Sequence, residues 1–361
     1  MADGPRRSAF NPVAVMATLI TLLIATAIPA AADDWETCNN KFDGRDITCS
    51  RAITSGKFTG RDLATLYYNR AAIYQADLDR AIADYNEAIK ADPEFAFPYN
   101  ARGNAYRAKG EYDLAIADYN EAIRLLPRFE AAYLSRGAAW QATGDYDRAI
   151  ADATKVIEIE PGFVNAYTNR GDVYKAKGEY DRAIADYNEA ILLYRTPGSG
   201  RFMILMSVSP TRLVEGKPSM DYAYSNRGRL FLYGGSLDKA LADFKQANEL
   251  DPKYAYAALW LDIAERRSNT PSHLAQASKQ LDMTSWPAPV VRLFLGELSP
   301  AQTLAAADDN DPKTKQARVC QANFYSGELA LLQGAKNEAI RLFQLAASDC
   351  RQNSFVRNRR G

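Results

Sequence analysis

Small and apolar positions recur along this chain at helical spacing, and the whole arrangement repeats. Tyr99-Asn-Ala-Arg-Gly103-x-x-Tyr106 is followed by Ala115-x-x-x-Tyr119-x-x-Ala122 and by Pro127. Adding 34 to each number reaches Tyr133, Arg136, Gly137, Trp140, Ala149, Ala153, Val156 and Pro161. Adding 34 again reaches Tyr167, Arg170, Gly171, Tyr174, Ala183, Tyr187 and Ala190, with Arg195 in the proline slot. Each period predicts one helix, a tight turn and a second antiparallel helix.

The spacing has a steric reading. Gly103, Gly137, Gly171 and Gly228 take the eighth position of the period, and Ala115, Ala149, Ala183 and Ala240 the twentieth. Only small residues let two helices approach the ~8 Å lower limit of interaxial distance. The tyrosines fill the volume around that crossing, and the terminal proline stops the second helix. The inter-helix turns read Lys-Gly-Glu-Tyr-Asp (109–113, 177–181) or Thr-Gly-Asp-Tyr-Asp (143–147). Glycine there suits a left-handed C-cap, and the aspartates are expected to cap the helix that follows.

Further copies are legible. One runs 64–95 through Tyr67, Arg70, Tyr74, Ala81, Tyr85, Ala88 and Pro93, its turn two residues short. Another runs 221–254 through Tyr224, Arg227, Gly228, Phe231, Ala240, Phe244, Ala247 and Pro252. A divergent unit occupies 320–351, residues 33–63 read as a degenerate capping pair with Ala52 at the small position, and 255–315 as helices without the motif. Residues 198–220 interrupt the series. Their Gly198-Ser-Gly200 and Glu215-Gly-Lys-Pro218 ends mark a loop around apolar Phe202–Met206, read as a private insertion or a docking strand.

The 34-residue motif resembles the tetratricopeptide repeat (TPR). The implied fold is an all-α solenoid of helix–turn–helix units, four repeats over 64–197 and a fifth over 221–254, with additional non-TPR C-terminal helices. Such stacks hold other proteins on an extended surface.

Composition adds a compartment. Arg6-Arg7, an apolar run from Val13 to Ile28 and Pro29-Ala-Ala-Ala32 read as a signal peptide cut after Ala32, with an uncleaved anchor as the alternative. The expected location is therefore the periplasm or the exterior, with no stable membrane insertion after cleavage. Residues 1–32 carry only Arg6, Arg7 and Asp3, so the remainder stays close to neutral from 44 basic and 44 acidic residues. No basic stripe favours nucleic acid. In an exported chain the four cysteines, Cys38, Cys49, Cys320 and Cys350, are candidates for disulfides. The repeat register places Cys320 at the start of a first helix and Cys350 at the end of its partner, while Cys38 and Cys49 flank a short turn. Cys38–Cys49 and Cys320–Cys350 are the expected pairs, against four free thiols in a cytosolic chain.

Catalytic chemistry finds little to work with. His273 is the sole histidine, read as a surface residue, so no Ser-His-Asp or Cys-His set assembles, and no CxxC or phosphate-binding motif occurs. No catalytic residue, metal or cofactor is expected. Two periodic polar sets remain. Arg70, Arg102, Arg136, Arg170 and Arg227 at position seven match Asp84, Asp118, Asp152, Asp186 and Asp243 at position 23, and read as a ladder of ion pairs. The other reading of these arginines is a basic groove for acidic tails. Asn69, Asn169 and Asn226 stand at position six, interrupted by Ala101 and Ser135. This partly resembles the asparagine ladder with which O-linked N-acetylglucosamine transferase grips extended peptides; the alternative is a tolerated solvent-facing polar residue. With Asn104, Arg107, Asp172 and Lys175 these asparagines are the candidate partner-binding residues, placed on first helices away from the Gly–Ala crossing. Expected partners are proteins or extended peptides, and a homodimer is compatible with the surface.

Trp286-Pro-Ala-Pro-Val-Val-Arg-Leu-Phe-Leu-Gly-Glu-Leu298, Asn323-Phe-Tyr-x-Gly327 and Leu342-Phe-x-Leu-Ala-Ala347 resemble the tail of NlpI-type TPR proteins of the Gram-negative envelope. That resemblance spans roughly 64–350 and implies an adaptor bringing a periplasmic processing protease to cell-wall endopeptidases. The family's acylated cysteine is missing, and the 198–220 insertion is foreign to it. A cell-wall glycan binder or a subunit of an envelope enzyme is the competing class, although tyrosines at positions 4, 11 and 24 are committed to packing.

Overall fold

The alternation of small, aromatic and polar residues produces paired helices throughout. A computed structural model describes residues 34–35, 37–38, 45–74, 77–196 and 220–350. The signal-peptide and chain-end segments, and the 198–220 insertion apart from Met220, lie outside the described residues. Every element among those described is a helix: α1 Arg45–Thr54, α2 Gly60–Ala71, α3 Leu78–Ala91, α4 Ala96–Lys109, α5 Tyr112–Leu125, α6 Glu130–Thr143, α7 Tyr146–Ile159, α8 Val164–Lys177 and α9 Tyr180–Arg195. After the insertion come α10 Met220–Tyr233, α11 Leu237–Leu250, α12 Ala255–Arg267, α13 Leu274–Ala277, a 3-10 turn Ser278–Gln280, α14 Ala288–Phe294, α15 Pro300–Ala305, α16 Pro312–Leu332 and α17 Lys336–Asp349. The described residues form two compact units, one ending at Ser135 and one beginning at Arg136.

In the first unit α2 pairs with α3 and α4 with α5, and α1 packs on α2. The second unit pairs α8 with α9, α10 with α11 and α16 with α17. The crossings follow the small-residue logic, with one refinement. A Cβ on Gly103 would lie 2.7 Å from Tyr119 Cε1, and one on Gly228 2.8 Å from Phe244 Cε1. The aromatic ring at position 24, more than the alanine at position 20, demands the glycine. The hydroxyls of Tyr99 and Tyr167 each donate 3.2 Å to the carbonyl of the preceding repeat's proline, Pro93 and Pro161. The terminal proline thus also supplies an acceptor for the next repeat.

Gly110 and Gly178 are left-handed C-caps at φ 82° and 87°, as the turn chemistry predicts. The capping expectation needs correction for Asp113 and Asp181. They lie inside the first turns of α5 and α9, whose N-caps are Glu111 and Glu179 without side-chain cap bonds. Asp145, two positions earlier in its turn and equivalent to Glu111 and Glu179, does cap α7 by accepting from the Arg148 N–H at 3.2 Å.

Beyond 254 the motif disappears because the packing changes. α12 is flanked by α11, α14 and α16, and almost its whole circumference is buried, so no polar face survives. Trp260 there stacks on Phe244 at 5.9 Å and meets Phe324 and Tyr325. α16 begins at Pro312, capped by Asp311, so Cys320 sits two turns inside that helix rather than at its start. The disulfide to Cys350, at the end of α17, still forms across antiparallel partners, with Cα atoms 5.5 Å apart. Cys38 and Cys49 are joined likewise at 5.0 Å. His273 has its side chain exposed, yet it is tied down: its Nδ1 lies 2.7 Å from Glu265 Oε1, and its backbone N–H donates to the other oxygen of that buried carboxylate. No described helix is long and apolar enough to cross a membrane.

Candidate functional site

The arginine–aspartate pairs have one geometry in every copy. Arg70–Asp84, Arg102–Asp118, Arg136–Asp152, Arg170–Asp186 and Arg227–Asp243 are bidentate, each through Nε and Nη2 at 2.6–2.9 Å. The aspartates are buried and the arginines largely so. Burial pushes the Asp118, Asp152 and Asp243 carboxyls up from the ordinary range, while their arginine hydrogen bonds pull against it. Several arginines spend a further donor on the preceding repeat: Arg102 on Asn86 Oδ1 (2.6 Å), Arg170 on Thr154 Oγ1 (3.1 Å), Arg227 on Asn188 Oδ1 (2.6 Å). These donors link neighbouring repeats. The signal was available, since Asn86, Asn120, Thr154 and Asn188 share the 34-residue period.

Three candidate partner-binding residues converge in the second unit. Asp172 and Lys175 stand one turn apart on α8, and Asn226 faces them from α10. Lys175 Nζ donates to Asp172 Oδ1 at 2.8 Å and to Asn226 Oδ1 at 3.1 Å. Asp172 also accepts the Tyr187 hydroxyl at 2.7 Å and the Tyr222 hydroxyl at 2.6 Å. Arg229, which the sequence reading missed, donates to the same Asn226 oxygen. Its guanidinium lies 5.6 Å from the Trp260 ring centre. Burial pushes the Lys175 ammonium down from its ordinary value; Asp172 opposes the shift and Arg229 adds to it. Burial likewise raises the Tyr187 and Tyr222 phenols, with Asp172 as the next cause. Tyr222 reconciles an exposed ring with a desolvated hydroxyl by turning its oxygen inward onto Asp172.

The other candidates are placed differently. Asn169, one turn before Asp172, is half-buried and makes no side-chain hydrogen bond among the described residues. Asn104 is buried and accepts the Tyr119 hydroxyl at 2.8 Å. Arg107 approaches the same ring, whose phenol burial pushes up to about 12. Asn69 is half-buried on α2. Asn104 and Asp172, expected to point away from the helix crossing, turn back to the tyrosine of the second helix.

Models of the tetratricopeptide repeat match residues 64–95, 131–163, 164–197 and 222–254, and a model of the TPR repeat matches 103–144. The chain carries tetratricopeptide repeats. A tetratricopeptide repeat protein from Parabacteroides merdae is 17% identical, with 74% of this chain and 98% of that one covered and a TM-score of 0.52, a likeness of fold. Crystallised MamA is 26% identical over 52% of this chain and 96% of its own, with a TM-score of 0.41. YrrB, a TPR protein with an unusual peptide-binding site, is 21% identical over 58% and 95%, with a TM-score of 0.40.

Arg229 can be set beside the same position in the second to fourth repeats; in the first, Ala72 stands there with Tyr85 as the ring, so a tyrosine does not by itself demand an acceptor. Position nine is Asn104 in the second repeat and Asp172 in the fourth, each accepting from a tyrosine at position 24. In the third repeat both positions are alanine, Ala138 and Ala153. In the fifth, position 24 is Phe244, which has no hydroxyl to satisfy, and position nine is Arg229. Relieved of the acceptor role, that position carries a cation toward α8.

Proposed function

We propose that this chain is a non-catalytic scaffold acting outside the cytoplasm, which holds an extended segment of a protein partner along the first helices of its TPRs. The observation that carries the reading is the meeting of Asp172, Lys175 and Asn226 on adjoining first helices, with Arg229 beside them. Arg229 stands at position nine, which the third repeat fills with Ala138 alone. Two paired-cysteine bridges support an oxidising compartment. The likeness of the tail to NlpI-type proteins supports an envelope adaptor that brings a processing protease to wall-cleaving enzymes.

The test is capture of partners from periplasmic extract by the tagged full chain, beside sedimentation with purified cell wall. Specific protein partners are expected, with capture lost in a combined Asn169→Ala, Lys175→Glu, Arg107→Glu variant of unchanged helical content. Sedimentation with wall and no protein partner overturns the reading in favour of a glycan binder. Capture that survives the triple change but vanishes on deleting residues 255–361 moves the working surface to the tail.

A further inference from the structure

Three carboxylates are buried around α12 in the tail: Asp262, Glu265 and Glu328 are each no more than 2% exposed. Two of them have a permanent cation. Arg266 pairs with Asp262 at 2.8 Å and Arg267 with Glu328 at 2.5 Å, and the Tyr233 hydroxyl of α10 adds to Glu328 at 3.1 Å. Glu265 is met by neither a guanidinium nor an ammonium among the described residues. Both of its oxygens turn to the sole histidine instead. Oε2 accepts the His273 backbone N–H at 2.9 Å, and Oε1 lies 2.7 Å from His273 Nδ1. A buried carboxylate is costly without an opposite charge, and an imidazole supplies one only when protonated. With three carboxylates against two guanidiniums, the group balances when His273 is charged. Burial raises the Asp262 carboxyl; Ser272 and Arg266 oppose the rise and Glu265 adds to it, as two acids in one desolvated patch should.

What this pair holds is the strap of residues 268–281, which leads from α12 through α13. Two carboxylates of α12 fasten it, Asp262 by accepting the Ser272 hydroxyl and Glu265 by taking His273. Immediately beyond, Leu274 and then Leu281 enter the same core cluster as Val290 and Val291 of α14. The only other charged side chain of the strap, Lys279, is turned to Gln276 Oε1 at 3.0 Å. From α14, Arg292 is directed at the Met283 carbonyl, and the Phe294 carbonyl accepts Arg266 Nη2 at 2.8 Å. On α11, Asp243 is engaged by Arg227 and Lys239 lies over the Phe231 ring.

We propose that His273 and Glu265 form a proton-operated clasp, which closes residues 268–281 onto the tail at acidic pH and loosens them as the pH rises through neutrality. The inference is independent of the scaffold reading, since it concerns the tail's own fold. The charged ring is the form that the closed strap favours, so closing takes up a proton. Protection of the strap is therefore greatest below the ordinary histidine value of ~6.5 and is lost above it. An arginine in place of His273 would fasten the strap at every pH, as Arg266 and Arg267 do for their own carboxylates.

The experiment is amide hydrogen exchange of the full oxidised chain, read by mass spectrometry at about pH 5.5 and about pH 8, either side of the histidine range, with each rate corrected for the intrinsic exchange of an open amide. Peptides spanning 268–281 report on the clasp, and peptides of α8 and α9 are the reference. Wild-type protection of the strap should fall at least about threefold from the lower to the higher pH, the scale of replacing a charge-assisted hydrogen bond by a neutral one at a partly exposed ring. The reference should keep its protection. His273→Gln, a change at an exposed side chain, should show the same strap protection at both pH values, near the wild-type level at the higher one. Glu265→Gln should also remove the pH dependence; if that variant does not fold, His273→Gln decides alone. Wild-type protection that does not change with pH overturns the proposal, as does a pH dependence that survives either substitution. A fall shared equally by the reference peptides overturns it too, since the loosening would then be general.

Discussion

Replacing Arg136 by alanine tests whether the ladder holds the repeats together. The guanidinium reaches Asp152 through Nε at 2.9 Å and Nη2 at 2.6 Å, and the side chains are 20% and 6% exposed. Removing the arginine leaves a desolvated carboxylate without the cation that meets it. Breaking one partner of a buried pair costs about 3–5 kcal/mol, and the partial exposure of Arg136 puts this case near 3 kcal/mol. At about 2–4 °C per kcal/mol for a unit of this size, the melting temperature should fall by roughly 6–12 °C. Arg136→Ala with Asp152→Ala should recover about half of that, since no lone charge stays buried. The sign of the pH dependence follows from Asp152. Its carboxyl is raised by burial and held down by Arg136. Without the arginine it rises further, so the folded state binds a proton more readily than the unfolded chain. The loss should therefore be full near pH 7 and shrink as pH falls through the raised value toward the ordinary ~3.9. Circular dichroism melts of wild type, both single variants and the double between pH 4 and 8 decide it. Additive single losses, or a loss independent of pH, would refute the buried-pair argument. Unchanged melting with abolished partner capture would transfer these arginines to the binding groove.

Gly103→Ala and Gly137→Ala should have opposite signs. At Gly103 the new Cβ falls 2.7 Å from the Tyr119 ring, which is pinned through its hydroxyl to Asn104, so overpacking should cost about 1–3 kcal/mol. At Gly137 the nearest atoms are at 3.4 Å, an ordinary contact, and the gain in helix propensity, up to about 1 kcal/mol, should leave stability unchanged or raised; equal losses at both sites in chemical denaturation would sink the ring argument. Cys320→Ser with Cys350→Ser should lower the stability of the second unit by about 3–4 kcal/mol, the chain-entropy value for a separation of 30 residues. Non-reducing peptide mapping should recover the Cys38–Cys49 and Cys320–Cys350 linkages, and a cross-link between the two ends would show the register argument wrong.

The repeats were legible because every copy solves the same packing problem with the same residues at the same spacing. Glycine at position eight and arginine at seven each have one steric or electrostatic partner sixteen residues on, and the period makes that partner visible. The tail was not legible in this way. α12 is buried nearly all round, so it has no polar face to set a phase, and α16 starts at an Asp311–Pro312 cap two turns before the cysteine that seemed to open it. The candidate face was half read. Asp172, Lys175 and Asn226 were found from their register, but Asn104 and Asp172 turned out to serve a tyrosine on the second helix, a pairing that only the comparison of positions nine and 24 within the chain brings out.

That comparison bears on where function lies in a repeat array. When positions nine and 24 change together, from Asn/Tyr or Asp/Tyr to Ala/Ala, the packing problem is re-solved and nothing is left over. The fifth repeat breaks the series differently. Phe244 keeps the volume of the tyrosine and closes against Gly228 as Tyr119 does against Gly103, so the crossing itself is unchanged. Only the hydroxyl has gone, so position nine has no tyrosine to accept from. An apolar residue there would then suffice for packing, as Ala138 does. An arginine instead brings a cation beside Lys175 and loads a second donor onto Asn226 Oδ1. Burial lowers the Lys175 ammonium, Asp172 opposes the shift, and the neighbouring Arg229 adds to it. The fifth repeat therefore differs from the second and fourth in a residue that packing does not require, and Arg229→Ala, with melting and partner capture read together, separates a structural role from a binding one.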